Sequence, residues 1–275
     1  MPDTRERTDF RERPDFGDKP GEQRTHDPGL PPLGAPPRFL FRTPPMPCPY
    51  LAGRIERHVF AEIAGPDAVE GYDALARAGF RRSHRVAYRP SCVGCASCVP
   101  VRIAAGAFQP SRSQRRVTRA NADLGALELA PNATAEQYRL FARYQRSRHG
   151  DGEMARMGFD DYRAMVEDTA VGSALVEFRA AESGGGRLMG ACLFDRLGDG
   201  LSAVYSFFEP EAAERGLGTY AVLWLIERAR REWRPYVYLG YWIAESRKMA
   251  YKARFKPLEA LRDGAWRPFP ALLPK

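Results

Sequence analysis

Three thiols stand two residues apart in Cys92-Val-Gly-Cys95-Ala-Ser-Cys98, and a fourth, Cys48, lies upstream. Each C-x-x-C step is short enough for two sulfurs to meet one centre, and four thiolates suit tetrahedral zinc or an iron–sulfur cluster. Cys48, Cys92, Cys95 and Cys98 are therefore the candidate ligands of a structural metal. The competing reading is a set of small reduced side chains. Arg89 and Arg102 lie nearby in sequence, where their cations would offset thiolate charge. Cys192 sits in an apolar run and reads as core. An odd number of cysteines with tight local spacing fits the reducing cytoplasm better than a secreted disulfide framework.

The second chemical signal is charge. The chain of 275 residues carries a formal charge of +8, which favours polyanionic partners. Residues 74–122 hold ten arginines and no Asp, Glu or Lys. Unrelieved like charge destabilises a fold unless something neutralises it, so this run is expected to form an anion-binding surface. At its end, Ser111-Arg-Ser-Gln-Arg-Arg116 combines hydroxyls with guanidinium forks, the usual contacts to phosphate, and makes Arg112, Arg115 and Arg116 candidate nucleic-acid ligands. Further on, Tyr238, Tyr241, Trp242, Tyr251 and Phe255 interleave with Arg247, Lys248, Lys252, Arg254 and Lys256. Aromatic planes with cations hold unstacked bases and phosphates; the alternative is a core strand followed by a snorkelling helix.

Several chemistries are not supported. No Ser-His-Asp order, H-E-x-x-H pattern or phosphate-cradling P-loop is present, and His occurs only at 26, 58, 84 and 149, so the reaction should need no strong protein nucleophile. No run of 18 apolar residues predicts a membrane helix, and the N-terminus lacks the apolar segment of a secretory signal.

The elements that must position these residues fall into blocks. Residues 1–37, with eight of the 23 prolines and no aliphatic run, read as a disordered leader. A cysteine- and arginine-rich N-terminal domain is expected over 38–125, and a second domain over 131–265. In the second, Thr134 with Gln137 predicts a capped helix, followed by a short helix over 159–167. Strands are expected at 173–179, 187–195 and 201–208, with glycine turns between them. A helix over 217–233 and a buried strand over 236–242 complete the block. Helix, three antiparallel strands, glycine loop, long helix and last strand is the layout of the acetyltransferase-like (GNAT) α/β fold, making the class α/β (α+β). Arg215-Gly216-Leu217-Gly218 sits where that fold places its anion-binding turn, with small residues letting backbone N–H groups at a helix start face an oxygen.

Ordered motifs then point to a family. They include Cys48-Pro-Tyr-Leu51, Gly79-Phe-Arg-Arg-Ser83, Tyr88-Arg-Pro-Ser-Cys92, Pro100-Val-Arg-Ile103, Phe108-Gln-Pro-Ser111, Tyr205-Ser-Phe-Phe208, Leu217-Gly-Thr-Tyr220 and Tyr236-Val-Tyr-Leu-Gly-Tyr-Trp-Ile243. Over about residues 39–260 the chain resembles the arginyl-tRNA–protein transferases, most closely their bacterial aspartate/glutamate leucyltransferase branch. Leu51 stands where eukaryotic relatives carry a second cysteine. The resemblance implies aminoacyl-tRNA as donor, leucyl-tRNA in this branch, and a protein with N-terminal Asp or Glu as acceptor. The product is routed to degradation by the N-degron pathway.

Ester-to-amide transfer is downhill and requires no cofactor. On this reading Arg81, Arg82 and Arg89 hold the acidic side chain, with Tyr241 and Trp242 in the substrate site. Arg112, Arg115, Arg116, Lys248 and Lys252 face tRNA. Gly216 and Gly218 or Tyr205 serve the oxyanion, and Glu209 or Glu245 acts as a weak base. The alternatives are an acyl-CoA-dependent N-acetyltransferase and a non-enzymatic RNA-binding module.

Overall fold

The computed structural model describes residues 40–150, 152–181 and 186–269; the expected leader over 1–37 lies outside them, as do Gly184 and Gly185 of the first expected turn. In chain order come β1 (Leu40–Arg42), β2 (Met46–Pro47), β3 (Ile55–Glu56), β4 (His58–Glu62), α1 (Ala68–Arg77), β5 (Arg81–Ser83) and β6 (Val86–Pro90). β7 (Val99–Ala104), α2 (Arg112–Ala120), β8 (Leu124–Leu129), α3 (Ala135–His149) and α4 (Phe159–Glu167) follow. Next are β9 (Ser173–Ala180), β10 (Leu188–Leu197), β11 (Gly200–Phe208) and α5 (Leu217–Arg231). The last elements are β12 (Tyr236–Trp242), α6 (Arg247–Ala250), β13 (Leu258–Arg262) and β14 (Ala265–Phe269). Short 3-10 turns lie at Pro210–Arg215, before α5, and at Tyr251–Arg254, after α6.

Local signals set the helix starts. Thr134 accepts from the Gln137 N–H while the Gln137 side chain accepts from the Thr134 N–H, a reciprocal cap that satisfies two orphan donors. Ser111 and Gln114 do the same for α2, so the expected phosphate-binding turn is the first turn of a helix.

An eight-stranded sheet runs β14-β13-β7-β12-β11-β10-β9-β8, and a smaller one runs β1-β4-β6-β5. Along β10, Cys192 and Phe194 face the core under α5, whereas Ala191 and Leu193 face the core under α3 and α4. A strand buried on both faces must be apolar nearly throughout, which explains the unbroken run in its sequence. The α5 face of Leu217, Ala221, Val222, Leu225, Ile226 and Ala229 closes one side. A third core packs α1 against β4 and β6.

The residues expected as a separate N-terminal domain contribute β7 to the large sheet, and β8 begins at that domain's expected end. β7 lies between β12 and β13, antiparallel to both, and β8 forms the far edge beside β9. The two halves of the sequence therefore share one sheet.

The acid-free arginine run has two fates. Arg82 on β5 donates to both carboxylate oxygens of Asp195 on β10, at 2.8 and 2.7 Å, and both side chains are fully buried. It also reaches Ser173 Oγ and the His84 carbonyl. Arg102 on β7 pairs with Glu259 on β13 at 2.7 Å and stacks 3.5 Å over the Tyr236 ring. These arginines join the first half of the chain to acids of the second half. Arg77 and Arg85 stay exposed singly, and the four arginines of α2 form an exposed basic face.

Breaking a buried pair strands a charge in low dielectric and costs about 3–5 kcal/mol. Asp195→Ala is expected to destabilise the protein by about that much in urea unfolding. Asp195→Leu combined with Arg82→Met should recover most of the loss.

Candidate active site

β11 and β12 run parallel but pair only at Gly200↔Tyr236, Leu201↔Val237 and Ser202↔Tyr238. Beyond Ser202 they separate, leaving backbone carbonyls without a strand partner. Arg81 enters this split from β5, and its Nη2 donates to the carbonyls of Ala203 (3.0 Å) and Val204 (2.9 Å). Gly240 on β12 permits the entry: its φ is +69°, and a Cβ there would collide with Cδ, Nε and Cζ of Arg81. The guanidinium is half-buried, and no acceptor among the described residues takes its Nε or Nη1 hydrogens.

Tyrosines surround this cation. The Tyr241 hydroxyl lies 3.0 and 2.9 Å from the carbonyl oxygens of Gly79 and Tyr88 and is committed to them. On β11, the Tyr205 hydroxyl accepts from Gln145 Nε2 at 2.6 Å, so its own proton is free to donate. Burial raises the Tyr205 pKa and keeps the phenol neutral. Tyr144 on α3 lies beside Tyr205, and the exposed Tyr251 lies near Tyr144 and Arg81. Tyr144 and Gln145 were not singled out in the sequence: an aromatic at helical spacing reads as core, and a lone Gln carries no signal.

Lys252, expected on a tRNA-facing surface, instead turns inward and is only 5% exposed. Its Nζ donates to the Tyr241 carbonyl at 2.6 Å and lies 3.3 Å from Met249 Sδ. Burial, then the nearby Arg81 charge, depresses its pKa well below the usual lysine value, with Cys98 acting the other way.

Other expected residues separate into distinct settings. Arg82 is enclosed by Asp195, and an incoming carboxylate would have to break that pair. Arg89 donates to the Ala78 carbonyl and stacks 5.2 Å from the centre of the Phe80 ring. Trp242 is a core residue packed against Phe269 at 4.9 Å. Glu209 is buried and ion-paired to Arg143 (2.8 Å) and Arg187 (3.5 Å), so its carboxylate is already engaged. Glu245 is exposed in the turn after β12, and Lys248 is exposed on α6.

Gly216 takes a left-handed conformation (φ +65°) at the start of α5, and a Cβ on Gly218 would come 2.9 Å from the Phe208 ring. The Gly216 carbonyl accepts from Thr219 and Tyr220, so the N–H groups of Leu217 and Gly218 are the helix's first unpaired donors. This loop is tied to α2: Asn121 donates to the Arg215 carbonyl at 2.8 Å, and Arg215 pairs with Asp123. Arg112, Arg115, Arg116 and Arg119 are exposed on that tied helix. On α3, Arg139, Arg146 and Arg148 are also exposed, a second basic face.

Cys48, Cys92, Cys95 and Cys98 line one cavity of about 30 Å³ together with Glu56, His58 and Tyr241. Burial, then the other three cysteines, raises the Cys98 pKa to about 12, whereas hydrogen bonds at Ser97 lower that of Cys95. These donors suit a soft tetrahedral ion, but among the described residues no three such side chains converge as a preformed metal site.

The sheet split supplies a cation and the start of α5 supplies unpaired N–H groups, the kinds of donor that acyl transfer uses. Family models described as "Arginine-tRNA-protein transferase, N terminus" and "Arginine-tRNA-protein transferase, C terminus" match residues 46–116 and 136–262. A protein of Paramagnetospirillum magneticum named aspartate/glutamate leucyltransferase is 57% identical, over 85% of this chain and 94% of its own. A protein of the same name from Granulibacter bethesdensis is 54% identical, over 84% of this chain and 86% of its own. The chain belongs to the arginine-tRNA–protein transferase family and is an aminoacyltransferase. This sets aside the N-acetyltransferase and RNA-binding-module readings. Among solved structures, L-PGS from Bacillus licheniformis aligns with a TM-score of 0.41 at 11% identity, covering 66% of this chain and 51% of that one. No helix among the described residues is long and apolar enough to cross a membrane.

Gly240→Ala places a Cβ against Arg81 at a positive φ and should cost about 1–3 kcal/mol in urea unfolding. Combining it with Arg81→Ala removes the collision, so the two losses should sum to less than their separate values.

Proposed function

We propose that this protein transfers leucine from leucyl-tRNA to the α-amine of cytoplasmic proteins that begin with Asp or Glu, marking them for degradation. The observation that carries this reading is Arg81: a cation with unused N–H donors, set in a sheet split whose strand β11 leads through a 3-10 turn to the helix start that can receive an anion. The names of the close relatives support leucine as the amino acid transferred.

The tRNA is held by its phosphates on the exposed arginines of α2, Arg112, Arg115 and Arg116, with Lys248 beyond the split. The arginines of α3 extend the same basic surface. The aminoacyl ester carbonyl lies near the start of α5. Its developing oxyanion is stabilised by the N–H groups of Leu217 and Gly218 and by the neutral Tyr205 hydroxyl, donors held in place before the charge forms. The acceptor's side-chain carboxylate binds Arg81, whose fixed fork favours a planar anion over a neutral side chain. The acceptor amine, with an ordinary pKa near 7.7, attacks in its neutral form from about 3 Å. The C–N bond forms, the ester C–O bond breaks, and the tRNA ribose oxygen leaves with a proton.

Transfer itself uses no cofactor. A zinc ion or iron–sulfur cluster would be held by Cys48, Cys92, Cys95 and Cys98 and would serve a structural role.

Radiolabelled Leu-tRNA and Arg-tRNA, each incubated with Asp-, Glu- and Ala-starting peptides, test the function. Label should pass from Leu-tRNA to the two acidic peptides, and failure with every acidic peptide would overturn the reading. Arg81→Gln should abolish the preference for Asp and Glu over Ala by at least tenfold in kcat/KM; an unchanged preference removes Arg81 from that role. Protein purified without oxygen should carry metal that Cys98→Ser releases, with a lower melting temperature and the Asp-over-Ala preference intact. Metal-free wild-type protein with the same melting temperature would refute the structural metal.

A further inference from the structure

The reaction needs a group that takes a proton from the acceptor's α-ammonium, and neither acid near the site is well placed for this. Glu209 is held by two guanidiniums and Glu245 is exposed on a turn. The buried amine at the split has the required chemistry. Lys252 has no carboxylate partner among the described residues, and its Nζ is anchored to the Tyr241 carbonyl on β12. The groups acting on it are Arg81 from β5, Cys98 from the loop before β7, and Met249 from α6.

We propose that Lys252 is the general base of the transfer, receiving at Nζ the proton of the acceptor's α-ammonium. The inference rests on the reading of Arg81 as the holder of the acceptor's side-chain carboxylate. In an N-terminal Asp or Glu the α-nitrogen lies only a few bonds from that carboxylate. A carboxylate on Arg81 therefore holds the ammonium within the split, on whose β12 side Lys252 is anchored at the Tyr241 carbonyl.

The anchoring bond uses one N–H of the neutral amine and leaves its lone pair free. Burial and the Arg81 charge both favour that neutral form, as they do for other buried lysines without a counter-ion. The step balances. Nζ gains the proton, and the freed amine attacks the ester carbonyl. The attacking nitrogen then gives up its second proton to water, and the tetrahedral intermediate collapses with loss of the ribose 3′-oxygen, which takes the proton held on Nζ.

The test compares wild type with Lys252→Arg and Lys252→Ala, using Leu-tRNA and an Asp-starting peptide. Transfer by wild type is established first, so that failure of the function is separated from failure of this inference. Lys252→Arg keeps a cation but cannot accept a proton at neutral pH. It should lower kcat by roughly 10²–10⁴-fold with little change in peptide KM. Lys252→Ala should be equally slow and should regain activity in proportion to added free methylamine, a response that a purely structural lysine would not give.

If either variant keeps kcat within threefold of wild type, or if folded Lys252→Ala gains nothing from methylamine, the proposal is wrong. Should both variants fail to fold, ¹³C-labelled lysine in the wild-type protein decides. An Nζ that is neutral at pH 7 supports the base, and one that stays protonated through pH 9 overturns it.

Discussion

The placement of two neighbouring arginines into the central sheet organises this molecule. Arg82 is locked to Asp195 in a fully buried pair, and that lock orients β5 so that Arg81 enters the gap between β11 and β12. The gap exists because the two parallel strands pair over three positions and then separate. Carbonyls left without a ladder partner need a donor, and a guanidinium supplies two N–H groups on one nitrogen. Gly240 is part of the same constraint, since any side chain there would occupy the space of the Arg81 stem. One dipeptide thus does two things: Arg82 bonds the halves of the sequence together, and Arg81 fills the split between β11 and β12.

This arrangement explains the composition of the arginine-rich segment. Ten arginines without a local acid would repel one another in isolation. In the fold, Asp195 and Glu259 arrive from more than a hundred residues away to neutralise Arg82 and Arg102. What is left over is concentrated on α2, and that helix is fastened to the glycine turn through Asn121 and Arg215. Excess positive charge is therefore presented beside the loop that would receive the reacting ester.

The interior of the site is polar but poor in acids. Tyr144, Tyr205 and Tyr241 stay neutral because burial disfavours the phenolate, so none of them offers Arg81 a negative charge. A carboxylate in the same place would pair with Arg81 and block an acidic ligand. The two acids expected to act as bases lie outside this enclosure for the same electrostatic reason: Glu209 has its own arginines, and Glu245 is in solvent.

Much of the second half of the chain was legible in its sequence. The capped α3, the short α4, the strands β9 to β11, the helix α5 and β12 follow from side-chain periodicity, capping residues and glycine turns, which act over a few residues. The family was legible from ordered motifs, since several short matches in fixed order are specific. The insertion of β7 between β12 and β13 was not legible, because strand pairing across such separations leaves no local pattern and Pro100 interrupts the run. The roles of individual arginines and lysines were not legible either. Charge and spacing are the same for a cation facing tRNA, one enclosed by Asp195 and one buried against a carbonyl. Sequence determined which charges and periodic elements exist; the tertiary structure decided which charges are neutralised, because an ion pair depends on distance in space and its partners lie far apart along the chain.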